Sequence, residues 1–194
     1  MASDDRERWD RRYVEGSHIK EAAPDWVGAL GDEIPRQGRA LDVASGTGRV
    51  ARWLARRGLR VTALDISPVG LELCREAALA EGLDLETLEL DLEQRPLPAG
   101  SYAVVSCFHY LQRDLFPALR DRLAPGGVLL CEIPTRRNLK RHAHPSARFL
   151  VDTNELLALC APLEVVYYRE GWIDDHSLAR ILARKLARET HAFP

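Results

Sequence analysis

Residues 41–58 of the chain read LDVASGTGRVARWLARRG, an apolar run followed by two glycines and a segment with helical spacing. Gly46, Gly48 and Ala51 fit the G-x-G-x-x-G/A pattern, in which a helix N-terminus binds a pyrophosphate. The stretch therefore predicts a strand, a tight turn and a helix that together hold a nucleotide. By itself it does not distinguish a dinucleotide such as NAD from another adenosine-containing ligand.

The order of patterns on either side of this stretch indicates the fold class. Short β-rich runs alternate with helix-like segments from residue 39 to about residue 160. Such alternation is typical of an α/β protein with a parallel sheet. We expect strands over 39–45, 59–66, 85–92, 102–110 and 126–134, and helices over 48–57, 68–81, 114–123 and 152–160. Ser67 should cap the second of these helices, and a hydroxyl or carboxylate side chain should cap the last.

Three aspartates lie at or just beyond the ends of the first three predicted strands. Asp42 suits a cationic ligand group, such as the ammonium of S-adenosylmethionine, better than a pyrophosphate. Asp65 can accept hydrogen bonds from both ribose hydroxyls, an arrangement that NAD enzymes share. Asp91 can accept from an adenine amino group. Asp42 and Asp91 could instead only stabilise turns.

Five segments taken together resemble the motifs of class I S-adenosylmethionine-dependent methyltransferases. They are LDVASGTGR (41–49), VTALDIS (61–67), LDLEQRPLP (90–98), YAVVSCFHYL (102–111) and LRDRLAPGGVLL (119–130). The resemblance spans roughly residues 6–186. It implies an α/β fold with a Rossmann-like, doubly wound, seven-stranded sheet that is mostly parallel and has an antiparallel last strand.

Three further segments are similar to the branch of this class that includes the tellurite-resistance methyltransferases. They are ERWDRRY (7–13), RFLVDTNELL (148–157) and YYREGW (167–172). The resemblance implies methyl transfer to a small or soft nucleophile without a metal. It also implies that Trp9 and Tyr13 belong to an N-terminal helical lid over residues 1–36, although both could instead be ordinary anchors of a terminal helix.

The class resemblance implies S-adenosylmethionine as the cofactor and a set of residues that bind it. The expected set is Trp9, Tyr13, Asp42, Val43, Ala44, Ser45, Gly46, Gly48, Asp65, Ile66, Ser67, Asp91, Leu92, Cys107 and Phe108. Two rival functions are an NAD-dependent oxidoreductase and a non-catalytic cofactor-binding adaptor. Asp42 and Asp91 count against the oxidoreductase, and the intact loop with its three aspartates counts against the adaptor.

His109 leaves the fourth predicted strand where the methyl group would be presented, which makes it a candidate general base. It could instead be a packing and hydrogen-bonding histidine. Tyr110 and His176 are further candidates for a catalytic role. A base is needed only if the acceptor carries a proton, so a thiolate, selenium or tellurium nucleophile would need none.

The segment that follows the fifth predicted strand forms an expected substrate-side loop over residues 135–151. Residues 135–149 carry Arg136, Arg137, Arg141 and Arg148 and no acidic residue. The loop could capture an anionic acceptor, or it could be a solvated basic loop. His142 and His144 lie near no thiol or carboxylate in the sequence, so we predict no metal site.

The stretch SLARILARKLARE (177–189) has helix-forming composition, yet it follows a predicted strand. The resemblance implies that it pairs as an antiparallel strand beside strand five. Because propensity differences among these residues are only tenths of a kcal/mol each, we expect tertiary position to prevail and Ser177–Leu186 to form a strand.

Composition bounds the class of protein. With 194 residues, 46% of them hydrophobic, and a formal net charge of −2, the chain should form one domain over 1–194 without a broad nucleic-acid-binding face. Because no apolar run reaches the length of a spanning helix, we also expect no membrane association and a cytoplasmic location. The resemblance implies a small-molecule substrate, and we expect a monomer or homodimer. The four widely spaced cysteines predict buried thiols.

Overall fold

In the described part of the chain, a seven-stranded sheet is flanked by six α-helices. The computed structural model describes residues 2–17, 19 and 21–187. The strands are β1 (Arg39–Val43), β2 (Arg60–Asp65), β3 (Leu85–Glu89), β4 (Tyr102–Phe108), β5 (Leu123–Pro134), β6 (Glu164–Ile173) and β7 (His176–Arg184). The helices are α1 (Ala2–Val14), α2 (Asp25–Ala29), α3 (Arg49–Arg56), α4 (Pro68–Ala80), α5 (Phe116–Asp121) and α6 (Glu155–Cys160).

The sheet order is β3-β2-β1-β4-β5-β7-β6. Strands β1 to β5 pair in parallel, and β7 is antiparallel to both β5 and β6. The predicted fold class is therefore confirmed. The strand order reverses between β1 and β4, and ligands of open α/β sheets bind outside the carboxyl ends of the strands at such a point.

The sheet is covered on both faces, which explains why its central strands are almost continuously apolar. On one face, Leu41 and Leu129 pack in a cluster with Phe116 of α5 and Leu156 of α6. On the other face, a second cluster contains Leu54 of α3, Cys74 of α4 and Trp26 of α2. All four cysteines are buried free thiols, as predicted.

The two predicted helix caps had different outcomes. Ser67 caps α4, because its Oγ accepts a hydrogen bond from the Gly70 N–H at 3.0 Å. The predicted cap of the last helix was wrong: α6 begins at Glu155, and the Asn154 side chain makes no capping hydrogen bond. The start of α6 is held instead by the Glu155 carboxylate, which accepts from the Asp152 N–H at 2.7 Å, and by Glu170 Oε2 of β6, which accepts from the Asn154 N–H at 2.9 Å.

The C-terminal segment is a strand, as predicted, and not a helix. Ala179, Ile181 and Ala183 are fully buried in one cluster, and Leu182 is fully buried in the other. Backbone pairing on both edges of β7 and burial on both faces outweigh the helix propensity of the sequence. Residues 188–194, which the single-domain prediction includes, lie outside the described residues. In the described part of the chain, no helix combines the length and apolar character needed to cross a membrane.

Candidate active site

The glycine loop joins β1 to α3 at the carboxyl edge of the sheet. Gly46 and Gly48 have φ angles of 54° and 76°, in the left-handed region that glycine tolerates. A Cβ atom at Gly48 would overlap Cys74 Sγ of α4, and one at Gly46 would lie 2.7 Å from Tyr13 Oη. Both glycines are therefore required by backbone conformation and by close packing.

Hydrogen bonds to Asp42 link β1, which precedes the glycine loop, to α3, which follows it, and to the neighbouring β4. The Asp42 side chain is buried, Oδ2 accepts from the Ala51 N–H of α3 at 3.0 Å, and Oδ1 accepts from Ser106 Oγ of β4 at 2.7 Å. Burial raises the pKa of Asp42 to about 7, although the hydrogen bonds from Ser106 and Ala51 oppose the shift. These hydrogen bonds agree with the alternative in which Asp42 only stabilises the turn. A contact between Asp42 and the cofactor stays a prediction.

Asp65 ends β2 and holds the loop to the start of α4. Its two carboxylate oxygens accept from the Gly46 N–H at 2.8 Å and the Ser67 N–H at 2.9 Å. Burial raises the pKa of Asp65, and the backbone hydrogen bonds oppose that shift. Each oxygen has further acceptor capacity, so the carboxylate can also receive hydroxyl donors from a ligand.

Asp91 lies two residues beyond β3 and is less buried than Asp42 and Asp65. Its Oδ1 accepts from the Glu93 N–H at 2.9 Å, which is a turn-stabilising contact. Among the described residues, no side chain or backbone N–H donates to Oδ2 of this carboxylate. The neighbouring Leu92 carbonyl accepts from Gln112 Nε2 at 3.3 Å, which ties this loop to the end of β4.

Helix α1 lies over the glycine loop. Asp10 accepts hydrogen bonds from Ser67 Oγ and, at 3.4 Å, from the Val69 N–H at the start of α4. Tyr13 is buried, and its ring lies near enough to Gly70 that a Cβ there would be 2.8 Å from a ring carbon. The Trp9 ring stacks on Tyr13 with centroids 5.8 Å apart. The predicted pair therefore sits over the predicted loop, and sequence analysis missed the contribution of Asp10.

The loop retains one polar group that the chain does not satisfy. Ser45 Oγ is buried and has no hydrogen-bond partner among the described residues. Ala44, just before it, has a φ of 53°, an unusual value for a residue with a side chain. An unpaired hydroxyl and a strained backbone beside Asp65 fit a loop built to receive a polar ligand such as an adenosyl amino acid.

A second polar cluster surrounds Glu132 in β5. Its side chain is 4% exposed and accepts from His109 Nε2 at 3.0 Å. It also accepts from Trp26 Nε1 at 2.9 Å and from Arg180 Nε of β7 at 2.7 Å. Burial alone would raise the pKa of Glu132, but the contacts with His109, Arg180 and Trp26 outweigh it and hold that pKa at about 2. The carboxylate therefore stays ionised at neutral pH.

Sequence reasoning missed Glu132, Arg180 and Trp26 as members of this cluster. One signal was available, because Glu132 is a lone acid inside the apolar strand segment VLLCEIP (128–134). A buried charge needs partners, and such a residue is therefore a candidate for an interaction that the sequence does not show.

The other two catalytic candidates lie in different settings. The Tyr110 hydroxyl donates to Gln112 Oε1 at 2.7 Å, and burial raises the pKa of Tyr110. These contacts disfavour a basic phenolate there. The His176 ring packs against His142 of the substrate-side loop, with centroids 4.9 Å apart and ring planes tilted by 33°. Cys107 and Phe108 are buried in the clusters on opposite faces of the sheet, and their contact with the cofactor stays a prediction.

The predicted substrate-side loop is partly neutralised by acids from elsewhere in the chain. Arg136 pairs with Asp152 at 2.7 Å, and Arg141 lies 3.5 Å from Asp175 with its guanidinium over the Trp172 ring. The Arg148 guanidinium lies over Phe149. Arg137 is exposed and has no carboxylate partner among the described residues.

Comparison with known proteins shows that this chain is similar to methyltransferases. Residues 40–127 fit a family model described as a methyltransferase domain. The chain is 33% identical over 153 residues to a ubiquinone biosynthesis O-methyltransferase of Cronobacter sakazakii, over 72% of this chain and 61% of that protein. The chain thus spans less than two thirds of the length of this relative.

Two solved structures share the fold. TehB from Haemophilus influenzae has a TM-score of 0.72 at 21% identity and covers 91% of this chain and 67% of its own. The [4+2]-cyclase SpnF has a TM-score of 0.71 at 16% identity and covers 96% of this chain and 97% of its own. At these identities the likeness concerns the fold alone. The domain match, the O-methyltransferase relative and the fold together confirm the predicted resemblance to the class I S-adenosylmethionine-dependent methyltransferases.

Proposed function

We propose that the chain transfers the methyl group of S-adenosylmethionine to a small-molecule acceptor. One observation carries the proposal: the buried Asp65 carboxylate holds the Gly46 N–H of a loop in which the Ser45 hydroxyl has no described partner. When bound, the cofactor supplies an electrophilic methyl group on a sulfonium. The matches described above give no support to an NAD-dependent oxidoreductase.

Three acidic side chains would serve the cofactor in different ways. Asp65 would accept hydrogen bonds from the ribose hydroxyls, and Asp91 would use its second oxygen for the adenine amino group. Asp42 would act mainly through the loop, since both its oxygens already accept from Ala51 and Ser106. Positioning of this kind is the main task of the protein, because well-oriented reactants gain about 7–11 kcal/mol over free ones.

Helix α1 would be the lid that excludes water from the transferred methyl group. Its Tyr13 and Asp10 contact the glycine loop and the start of α4, the two elements that border Asp65. Asp65 is only 7% exposed, and Asp10 of α1 lies near enough to contribute to the raised pKa of Asp65. These contacts support the proposed lid over 1–36 through its first helix.

For the acceptor, we propose a small molecule that is either anionic or a soft nucleophile. The exposed Arg137 favours an anionic acceptor, whereas the ion pairs of Arg136 and Arg141 reduce the charge that the loop presents. The contact between Glu132 and His109 matters for this choice, because an acceptor that carries a proton needs a base and an ionised soft nucleophile does not.

Asp65→Ala tests cofactor binding. The substitution should weaken S-adenosylhomocysteine binding by about 1.5–3 kcal/mol, the scale of hydrogen bonds to a charged group. Isothermal calorimetry measures this directly, with Asp84→Ala, an exposed acid just before β3, as a matched control. Unchanged affinity in Asp65→Ala would remove this residue from the site, and NAD binding without adenosylhomocysteine binding would overturn the proposed function.

Deleting residues 1–15 tests the lid. Methyl transfer should fall far more than the thermal midpoint of unfolding, because α1 covers the site and contributes little to either core cluster. Val14→Ser, an exposed position on the same helix, is the control and should keep full activity. Full activity in the truncated chain would contradict the lid.

A further inference from the structure

The carboxylate of Glu132 and the imidazole of His109 differ sharply in exposure although they are in contact. The His109 side chain is 35% exposed, whereas that of Glu132 is 4% exposed. A ligand at the carboxyl edge of β4 can therefore reach the imidazole but not the carboxylate. This division is that of a general base and the buried group that orients it.

The hydrogen bond between them also fixes which ring nitrogen is basic. Because Glu132 is ionised, Nε2 of a neutral His109 ring must carry the proton that it donates to Glu132 Oε1 at 3.0 Å. The lone pair then resides on Nδ1. No hydrogen bond within the described part of the chain engages Nδ1, so this atom is available to accept a proton from a ligand.

We propose that Glu132 is a positioning residue that holds His109 as the general base of the transferase, and that the acceptor atom is therefore the oxygen of a hydroxyl group. The inference rests on the proposed function and narrows its acceptor class. A thiolate, or an ionised selenium or tellurium nucleophile, carries no proton and would gain nothing from a base.

The backbone supports this assignment independently of the side chains. His109 has a φ of 57°, in the left-handed region, directly after β4 ends at Phe108. Its N–H donates to the Glu132 carbonyl at 2.7 Å, so the same residue holds both the backbone and the ring. Backbone held in a sparsely populated conformation by several contacts is found most often at functional sites.

The charges around the pair suit proton uptake and release. Arg180 pairs with the second oxygen of Glu132, Trp26 donates to that oxygen, and Arg49 is a further cation near Glu132. The contacts with His109, Arg180 and Trp26 hold the pKa of the carboxylate well below its ordinary value. An ionised carboxylate beside the ring stabilises the imidazolium that forms when His109 takes up a proton.

The transfer step balances in atoms and charge. A lone pair of the acceptor oxygen forms the bond to the methyl carbon while the carbon–sulfur bond breaks and its electron pair goes to sulfur. The hydroxyl proton passes to His109 Nδ1. The positive charge that leaves the sulfonium thus appears on the imidazolium, which then releases its proton to water.

Matched acceptors test the inference. Catechol supplies a hydroxyl, and 4-nitrothiophenol, which is ionised at neutral pH, has no proton to remove. His109→Gln should lower kcat for catechol by about 10²–10⁴-fold, and Glu132→Gln should lower it by about 10-fold or more. For both variants, KM for catechol and kcat for the thiolate should change by no more than about twofold.

Trp26→Phe is the matched control for structural effects. It removes one donor to Glu132 but keeps an aromatic ring against Phe108 and Tyr167, which it contacts with centroids 5.9 and 5.7 Å away. If Glu132→Gln acts only by loosening the cluster, Trp26→Phe should reproduce its loss of kcat. An equal loss in both variants, or an equal loss with both acceptors, would overturn the inference.

Nitrogen NMR of the His109 ring gives a readout that needs no acceptor. In the wild-type chain at alkaline pH, Nε2 should have the shift of a protonated nitrogen and Nδ1 that of an unprotonated one, and Glu132→Gln should lessen this preference. The opposite tautomer in the wild type would overturn the inference. Adenosylhomocysteine binding with methylation of the thiolate but not of catechol would also overturn it and leave the proposed function intact. Loss of cofactor binding itself would contradict the proposed function.

Discussion

Asp42 and Glu132 are buried carboxylates on strands separated only by β4, yet their electrostatics are opposite. Burial raises the pKa of Asp42 to about 7, and its donors are a neutral hydroxyl and a backbone N–H. The pKa of Glu132 is lowered to about 2, because a guanidinium and an imidazole are among its donors. Burial raises both pKa values, and the charge of the donors decides whether that rise is overcome.

The difference separates two halves of the site. On the side of β1 and β2, carboxylates bind backbone N–H groups and shape a loop for the cofactor. On the side of β4, β5 and β7, a carboxylate pairs with the Arg180 guanidinium and contacts the His109 ring. We propose that the first half binds the cofactor and that the second takes up a proton from the acceptor.

Truncating Glu132 should give the largest effect on stability. Glu132→Ala leaves the Arg180 guanidinium, whose side chain is 14% exposed, without its partner. Breaking one side of a buried ion pair typically costs about 3–5 kcal/mol. The free energy of unfolding from urea denaturation measures the loss.

Asp42→Ala is the comparison for that experiment. It leaves the Ala51 N–H unpaired, at about 1–3 kcal/mol, while the Ser106 hydroxyl can still donate to the Leu41 carbonyl at 3.5 Å, and no uncompensated charge remains. A smaller loss at position 132 than at position 42 would mean that the Glu132 cluster is not a tightly coupled ion pair.

The pH dependence of stability should distinguish the two carboxylates by sign. The folded-state pKa of Asp42 is raised from 3.8 to about 7, so the folded chain binds the proton more tightly than the unfolded chain does. Its contribution to stability is full below pH 3.8 and is lost as the pH rises toward 7, at up to about 1.4 kcal/mol per pH unit. Asp42→Asn should abolish this slope because an amide does not titrate. The amide can still accept from Ala51 and donate to Ser106, so the hydrogen bonds are kept.

Glu132→Gln should remove a pH dependence of stability that has the opposite sign. The folded-state pKa of Glu132 is lowered, so its contribution is present above its ordinary value of 4.5 and is lost as the pH falls toward 2. Urea denaturation at a series of pH values, with both variants and the wild type, measures the two slopes. Slopes of the same sign would contradict the contrast between the two sites.

Breaking exposed ion pairs should change the free energy of unfolding least. This change gives a reference for the larger effects at the buried carboxylates. Reversing the charge of Arg136, Arg137 and Arg141 together breaks the pairs with Asp152 and Asp175, whose side chains are 61% and 69% exposed. Each lost pair is worth only about 0.2–1 kcal/mol. The same variant should raise the KM of an anionic acceptor and leave adenosylhomocysteine affinity unchanged, and an unchanged KM would favour the solvated-loop alternative.

The cofactor half of the site could be predicted because its signals are local. Gly46, Gly48 and Asp65 lie within 20 residues, and their backbone requirements leave a pattern in the sequence itself. Placement of Trp9 and Tyr13 over the loop followed from family resemblance, whereas the part played by Asp10 became visible only in the contacts with Ser67 and Val69.

The acceptor half could not be predicted in the same way. His109 was found because it follows an apolar strand, but its partners Glu132, Arg180 and Trp26 lie 23, 71 and 83 residues away in the sequence. No local rule joins four positions on a helix and three strands. The parallel step from β4 to β5, the antiparallel return of β7 and the packing of α2 on the sheet bring them together.

The sequence by itself determined the α/β alternation, the glycine loop, the positions of Asp42, Asp65 and Asp91, and the cap of α4. These features depend on residue periods and on backbone conformations that only a few residue types accept. Tertiary structure alone decided that helix-forming residues 176–184 become β7, that Asp42 faces neutral donors, and that Glu132 is ionised beside His109. The reason is physical: propensities and motifs act over a few residues, whereas burial, strand pairing and charge compensation depend on what the folded chain brings into contact.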